Sequence, residues 1–283
     1  MIISVASGKG GTGKTTVALG LALSLDNAEL LDCDVEEPNV HLFLRPQINT
    51  TDSVNVFVPE VNQSKCTLCG KCKAVCVYKA IAIIGKTVLT FHELCHGCGA
   101  CAYVCPERAI KEIPKEIGVV ESGKGEGVVF VQGVLNIGAA MAPPVIREVK
   151  KHIAEDRITI IDAPPGTSCP VISAMKKTDF CVLVTEPTPF GLHDLKLAIE
   201  VVRKLKLPHG VVINRATLGD NETEKYCQSE NIEVLLRIPF DRRVAQMYSQ
   251  GNIIIRAIPH LKDDFREMYK RIKGIVKLHN SRT

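Results

Sequence analysis

Apolar residues along this chain fall in short continuous runs that end on glycine, proline or a carboxylate, and between the runs the spacing becomes helical. Met1-Ile2-Ile3-Ser4-Val5-Ala6 reads as a buried strand, Gly8 to Gly13 as a glycine-rich turn, and Lys14 to Leu25 as a helix with Val17, Leu21 and Leu25 on one face. Leu30-Leu31 closes on Asp32, Ile158 to Ile161 on Asp162, Gly210 to Ile213 on Asn214-Arg215, and Arg237-Ile238 on Pro239. Val128 to Val131 is a further strand, preceded at Ser122 to Gly127 by what reads as a turn between short strands. A helix starts after Met141-Ala142-Pro143-Pro144 and runs through Ile153. Near the end, Leu261, Phe265, Met268, Ile272, Ile275 and Val276 form a helical stripe with lysines and arginines between them. That stripe lacks Trp and runs into the polar Asn280-Ser281-Arg282-Thr283, so it predicts docking on the core rather than on a membrane. The alternation predicts an α/β fold, a doubly wound and mainly parallel sheet that binds its ligand at the carboxyl edge of the strands.

Cysteine breaks this pattern between residues 60 and 113. Cys66, Cys69, Cys72 and Cys76 are followed, 29 residues on, by Cys95, Cys98, Cys101 and Cys105 (95 − 66 = 29), and the same displacement superposes Gly70 on Gly99, Ala80 on Ala109 and Ile81 on Ile110. The segment is an internal duplication. Zinc binding and a disulfide framework are open to any eight cysteines, but both fit this spacing less well. A third cysteine at the next two-residue step has no tetrahedral use, and disulfides need an oxidising compartment.

Over about residues 62 to 113 the pattern resembles a bacterial-type ferredoxin with two four-iron four-sulfur (4Fe-4S) clusters. In such proteins the fourth cysteine of each run ligates the other cluster. The resemblance therefore implies one set of Cys66, Cys69, Cys72 and Cys105, and a second of Cys95, Cys98, Cys101 and Cys76. The second run ends Cys105-Pro106 and the first Cys76-Val77, a departure that changes a turn and no ligand. His96 is left as a loop residue.

A chain of 283 residues, 46% hydrophobic and 23% charged, has the composition of a globular protein with room for a large core and a small insert. The first residues carry no basic leader, which predicts no signal peptide, and no apolar run approaches the roughly 18 residues of a membrane span. A cytoplasmic location is expected. The formal charge of +4 counts each cysteine as neutral, and lysine and arginine are spread along the chain, so no nucleic-acid partner is expected.

Gly8-Lys9-Gly10-Gly11-Thr12-Gly13-Lys14-Thr15, between a strand and a helix, is a phosphate loop: its glycines open backbone N–H groups to phosphates, Lys14 neutralises them, and Thr15 offers a hydroxyl to Mg²⁺. With Lys9 added, the motif resembles the deviant Walker A loop of the MinD, ParA, Mrp and nitrogenase iron protein superfamily. That resemblance covers residues 1 to about 59 and 114 to 283. It implies an ATPase (ATP hydrolase) and an ATP-dependent dimer, with itself or with a related chain, in which Lys9 reaches the partner's nucleotide. It also implies that Asp34 orients the attacking water, Asp32 contributes to the metal's shell, and Asp162 holds Mg²⁺ at a Walker B position. Gly166 then approaches the γ-phosphate, Thr16 completes the loop, and Asn214 with the Pro239 backbone reads adenine. Cys169 stands where the nitrogenase iron protein carries one ligand of an interface cluster, but without a second cysteine it reads first as a small residue packed beside the switch. Cys33, Cys181 and Cys227 read as packing residues.

The expected organisation is thus an ATPase in two parts, 1–59 and 114–283, around a two-cluster ferredoxin-like insert, 60–113. The first functional expectation is an ATPase whose nucleotide state controls electron transfer to or from a redox client protein. The second is an iron–sulfur cluster carrier of the Mrp type, and the third a MinD-like spatial organiser at a membrane surface.

Overall fold

The computed structural model describes residues 1–281, which form 11 strands and 11 α-helices. In chain order the first part holds β1 (Ile2–Ala6), α1 (Lys14–Ser24), β2 (Ala28–Asp32), α2 (Val40–Leu44) and β3 (Gln47–Val61). The cysteine segment follows with α3 (Lys71–Val75), β4 (Ile81–Ile84), β5 (Thr87–Thr90) and α4 (Ala100–Tyr103), and β6 (Ile110–Gly125) and β7 (Val128–Leu135) lead back out of it. The remainder alternates: α5 (Ala142–Val149), β8 (Ile158–Asp162), α6 (Cys169–Met175), β9 (Phe180–Thr185), α7 (Pro189–Lys204) and β10 (His209–Asn214). It ends with α8 (Glu222–Ser229), β11 (Val234–Ile238), α9 (Arg242–Ser249), α10 (Ile254–Ala257) and α11 (Leu261–Asn280).

Nine strands make one sheet in the order β11-β10-β9-β1-β8-β2-β7-β6-β3. From β11 to β7 every pairing is parallel, and β6 and β3 add an antiparallel edge. The strands read as unbroken apolar runs because both faces are covered. Successive side chains enter opposite cores: Ile3, Val5, Leu30 and Ile160 pack on one side with α1 and α11, while Ala6, Leu31 and Ile161 pack on the other with α5, α6 and α7. The fold is the expected doubly wound α/β architecture.

The terminal helix docks as its stripe predicts, with Leu261, Phe265, Met268 and Ile272 all buried. A Cβ on Gly20 would stand 2.3 Å from the Phe265 ring, so the glycine inside α1 is what lets α11 lie against it. Arg282 and Thr283 of the polar tail lie outside the described residues.

One expectation is corrected. The strands on either side of the turn before Val128 are not short: β6 has 16 residues and β7 has 8, and β6 pairs on its other edge with the 15-residue β3, from Gln47↔Lys124 to Val61↔Ile110. Much of this ribbon is exposed, and polar residues such as Lys111, Glu112, Lys115 and Glu116 break the alternation that would mark it as a strand. The turn itself is Glu126-Gly127, both with positive φ (51° and 80°), as a tight hairpin requires. Positions 59/60 and 113/114 therefore fall inside β3 and β6, and the cysteine segment leaves the sheet on two hydrogen-bonded strands. It packs around its own small core of Cys72, Ile81, Val88 and Ile110.

Candidate functional site

The carboxyl ends of β1, β2 and β8 converge on an open cleft of about 1300 Å³ beside the Gly8–Thr15 loop. Two glycines in the loop are dictated by neighbours: a Cβ on Gly8 would lie 2.2 Å from the Asp194 carbonyl, and one on Gly13 would lie 2.3 Å from Asn214 Nδ2. Gly11 and Gly13 also hold positive φ. Asn214 Nδ2 donates to the Thr12 carbonyl at 2.8 Å, which ties β10 to the loop. Gly10, Gly11, Thr16 and Pro239 line the cleft with the buried Lys14.

Thr15 Oγ1 donates to Asp162 Oδ2 at 2.7 Å, whereas Asp162 Oδ1 is buried with no partner. Burial pushes the Asp162 carboxyl up to about 7, against the Thr15 hydrogen bond and the Lys14 charge, which pull it down. Burial also raises Asp34, to about 6, with Lys14 opposing and Glu37 and Glu36 adding to the rise. An orphaned carboxylate oxygen beside a hydroxyl is the hard donor set a Mg²⁺ ion takes, so these residues fit that metal. Asp32 also has a structural duty. Its Oδ1 accepts from the Asp34 amide at 3.0 Å, and its Oδ2 accepts from the Asn39 and Val40 amides at 3.0 and 3.1 Å, so it pins the loop that carries Asp34. Burial and the neighbouring Asp162 raise its carboxyl well above the usual range.

Gly166, at φ +93°, donates its N–H to the Ser7 carbonyl at 3.0 Å and so sits against the phosphate loop. Lys9 is absent from the cleft wall, and its carbonyl accepts from Ser7 Oγ at 2.5 Å. Cys169 is exposed at the start of α6, a correction to its reading as a packed residue, because Pro165, Thr167 and Ser168 of the loop before it are exposed too. Cys33, Cys181 and Cys227 are buried, as packing residues are. Glu37 and Asn39, in the stretch that follows Asp34, and Phe240, next to Pro239, also line the cleft, as does Ile254, which sequence reasoning missed.

The eight cysteines gather into two hollows. One, of about 370 Å³, is lined by Cys66, Cys69, Cys72 and Cys105; the other, of about 410 Å³, by Cys76, Cys95, Cys98 and Cys101. Each hollow thus takes three thiols from one run and the last thiol of the other. Their backbones repeat too, since Leu68 and Gly97, Gly70 and Gly99, and Lys79 and Arg108 are pairs 29 residues apart that share positive φ. Ala80 N and Ala109 N each donate to the sulfur four residues back, Cys76 and Cys105, at 3.3 Å, and Gly97 N donates to Cys95 Sγ at 3.4 Å. Among the described residues no three His, Cys, Asp or Glu side chains could hold a single metal ion together. Four free thiols spread around a hollow, with amides aimed at sulfur, fit a polynuclear cluster better than one ion. His96 is more than a loop residue: it stacks on Tyr78 with ring centroids 3.5 Å apart, and both line the second hollow.

Residues 3–254 match the model of the CobQ/CobB/MinD/ParA nucleotide binding domain. The chain belongs to that family. An uncharacterised protein of Methanocaldococcus jannaschii is 32% identical over 262 residues, spanning 90% of this chain and 92% of its own. A protein of Pyrococcus horikoshii named an iron–sulfur cluster carrier protein is 22% identical, spanning 96% of this chain and 88% of its own. Among solved structures, the septum site-determining protein MinD of P. horikoshii, complexed with Mg-ADP, superposes with a TM-score of 0.60 at 21% identity over 98% of each chain. That likeness concerns the fold. Among the described residues, no helix is long and apolar enough to cross a membrane.

Proposed function

We propose that this member of the family is a cytoplasmic, dimeric ATPase whose nucleotide state governs electron transfer through two 4Fe-4S clusters. The chain divides accordingly into an ATPase of residues 1–59 and 114–283 and a two-cluster ferredoxin-like module of residues 60–113. One observation carries the reading: two four-thiol hollows stand at the end of a strand pair, β3 and β6, that is continuous with the sheet of the nucleotide cleft.

In this mechanism the loop amides from Gly8 to Thr15 cradle the phosphates of ATP, and Lys14 neutralises them. Thr15 and Asp162 would hold a Mg²⁺ ion, which would supply positive charge to offset the phosphates. Asp34 orients the water that attacks the γ-phosphorus, while Asp32 keeps the Asp34 loop in place. Lys9, outside its own cleft, stabilises the transferring phosphoryl group in the partner subunit. The Gly166 N–H, which donates to the Ser7 carbonyl in this structure, would exchange that acceptor for the γ-phosphate and return to it on hydrolysis. Asn214 and the Pro239 backbone recognise the base. Bound at the two thiol sets, the clusters would supply one-electron chemistry, and the amides at Ala80, Gly97 and Ala109 would tune it by hydrogen bonding to sulfur.

The test is anaerobic purification followed by iron, sulfide and ATPase assays and by spectroscopy with ADP and with a non-hydrolysable ATP analogue. Loaded clusters whose potentials or partner reduction rates differ between the two nucleotides are expected. A colourless protein, or identical behaviour with both, defeats the reading. The name of the Pyrococcus relative favours a second reading, a carrier of iron–sulfur clusters. Transfer of labelled iron to an apo-protein on ATP hydrolysis would select it, whereas clusters that cycle reversibly without leaving favour the first.

A further inference from the structure

The duplication in the cysteine segment supplies its own control. Displaced by 29 residues, the runs match at every cysteine, yet Lys65, Lys71 and Lys73 of the first fall on Leu94, Ala100 and Ala102 of the second. All three lysines are exposed, and none has a carboxylate partner among the described residues. Lys71 lines the first hollow beside the exposed Cys69, where Glu107 is the one acidic wall residue. The second hollow has no lysine on its wall and carries Glu112. Both halves have the same thiol frame and the same backbone turns, so holding a cluster does not explain the difference in their rims.

Lys71 lines the opening, and Lys65 and Lys73 adjoin its thiols Cys66 and Cys72 in the chain; like charges gathered in this way repel each other and attract an anionic surface, most strongly at low salt. No wall residue of the first hollow is aromatic, so the stacking platform of a single-stranded nucleic acid site is lacking there.

We propose that the rim formed by Lys65, Lys71 and Lys73 docks an acidic one-electron carrier, a small iron–sulfur or flavin protein with a carboxylate-rich face. The inference rests on the cluster reading given under the proposed function. Docked at this rim, the carrier exchanges one electron with the site at the first hollow: one partner is oxidised by one electron, the other reduced by one, and no bond or proton is transferred. The second hollow, whose Cys95 also borders the cleft beside Asn136 to Met141, faces the ATPase instead.

The test uses the full chain, purified anaerobically and assayed first for iron. Its affinity for an immobilised acidic two-cluster bacterial ferredoxin is measured at low and high salt for the wild type, for Lys65→Glu/Lys71→Glu/Lys73→Glu, and for the control Lys79→Glu/Lys86→Glu. The triple variant is expected to bind at least ~10-fold more weakly with a flatter salt dependence, and the control as the wild type does. If the triple variant loads less iron, Lys71→Ala and Lys73→Ala singly are expected to weaken binding in the same direction. Iron-replete triple variant that binds like the wild type overturns the proposal. So does loss of binding to a single-stranded oligonucleotide with ferredoxin binding unchanged. A wild-type preparation without iron instead defeats the cluster reading, and this proposal with it.

Discussion

The amide of Leu135 donates to the carbonyl of Val35 at 2.8 Å, and so ties the end of β7 to the residue next to Asp34. Gly133 makes the approach possible, since a Cβ there would lie 2.6 Å from Val35 Cγ1. From Leu135 the contacts continue toward the thiols. Asn136 N donates to the Ile117 carbonyl at 2.8 Å, and Lys115, two residues back on β6, pairs at 2.9 Å with Glu93, two residues before Cys95. A cleft of about 690 Å³ runs alongside, bordered by Glu93, Cys95, Lys115 and Asn136. Such a chain transmits only if one member has two arrangements. The loop from Asp34 to Asn39, which carries Val35 and lines the nucleotide cleft through Asp34, Glu37 and Asn39, is the element placed to have them.

Lys115→Ala is therefore expected to uncouple the two sites without harming either. Glu93 is exposed and Lys115 half-buried, with Lys115 holding the Glu93 carboxyl below the usual range, so losing a solvent-facing pair of this kind is expected to leave the melting temperature nearly unchanged. Iron content and ATPase rate stay at wild-type values, while the difference in cluster potential between ADP and the ATP analogue shrinks. An unchanged difference would show that nucleotide state reaches the thiols by another path.

How much of this arrangement the sequence discloses depends on how local each part is. The phosphate loop and Asp162 are readable because each is a motif a few residues long at the end of an apolar strand. The two cysteine runs are readable because the spacing repeats, and their crossing is what the ferredoxin resemblance implies. The β3 and β6 ribbon is not, because Gln47 to Ser53 are exposed in succession and all polar but Ile48, and a strand solvated on both faces has no period to detect. The contact of Asn214 with Thr12 spans 202 residues, and the commitment of Asp32 to three amides depends on how a loop folds back on it. Neither leaves a mark in local composition.

Gly20 offers a test of how α11 is held. A methyl group at this position meets the Phe265 ring, which is fully buried and has no free side to turn to. Gly20→Ala gains helix propensity of roughly 1 kcal/mol, but overpacking a closed core costs about 1–3 kcal/mol, so the net effect is destabilising or near zero. Gly20→Val, with two more carbons in the same space, is expected to lower the denaturation midpoint clearly. The double variant Gly20→Val/Phe265→Leu should recover part of the loss. A Gly20→Val protein as stable as the wild type would mean that the helix is held elsewhere.

His209, at the start of β10, predicts a dependence of stability on pH. Burial lowers its pKa below the usual 6.5, with Arg203 adding to the effect and the Leu207 carbonyl, 3.0 Å from Nδ1, opposing it. The folded chain keeps the ring neutral where the unfolded chain protonates it. Stability from this group is thus complete above about pH 6.5 and is lost as pH falls toward the depressed folded value, at no more than ~1.4 kcal/mol per pH unit. His209→Gln should flatten the stability profile below pH 6.5 and leave it unchanged above pH 7. Parallel profiles for the two proteins would count against a buried neutral ring.

The crossing of the two cysteine runs can be tested by counting iron. Cys66 and Cys105 lie in different runs but line the same hollow, whereas Cys66 and Cys76 lie in the same run but line different hollows. If each hollow holds one cluster, Cys66→Ser and Cys105→Ser remove the same cluster, and the double variant Cys66→Ser/Cys105→Ser keeps about half the wild-type iron, as each single variant does. The pair Cys66→Ser/Cys76→Ser breaks both hollows and keeps almost none. A pairing within each run predicts the reverse, with Cys66→Ser/Cys76→Ser retaining half and Cys66→Ser/Cys105→Ser retaining none. Iron and acid-labile sulfide per chain, measured on anaerobic protein, decide between these outcomes without any knowledge of the electron partner.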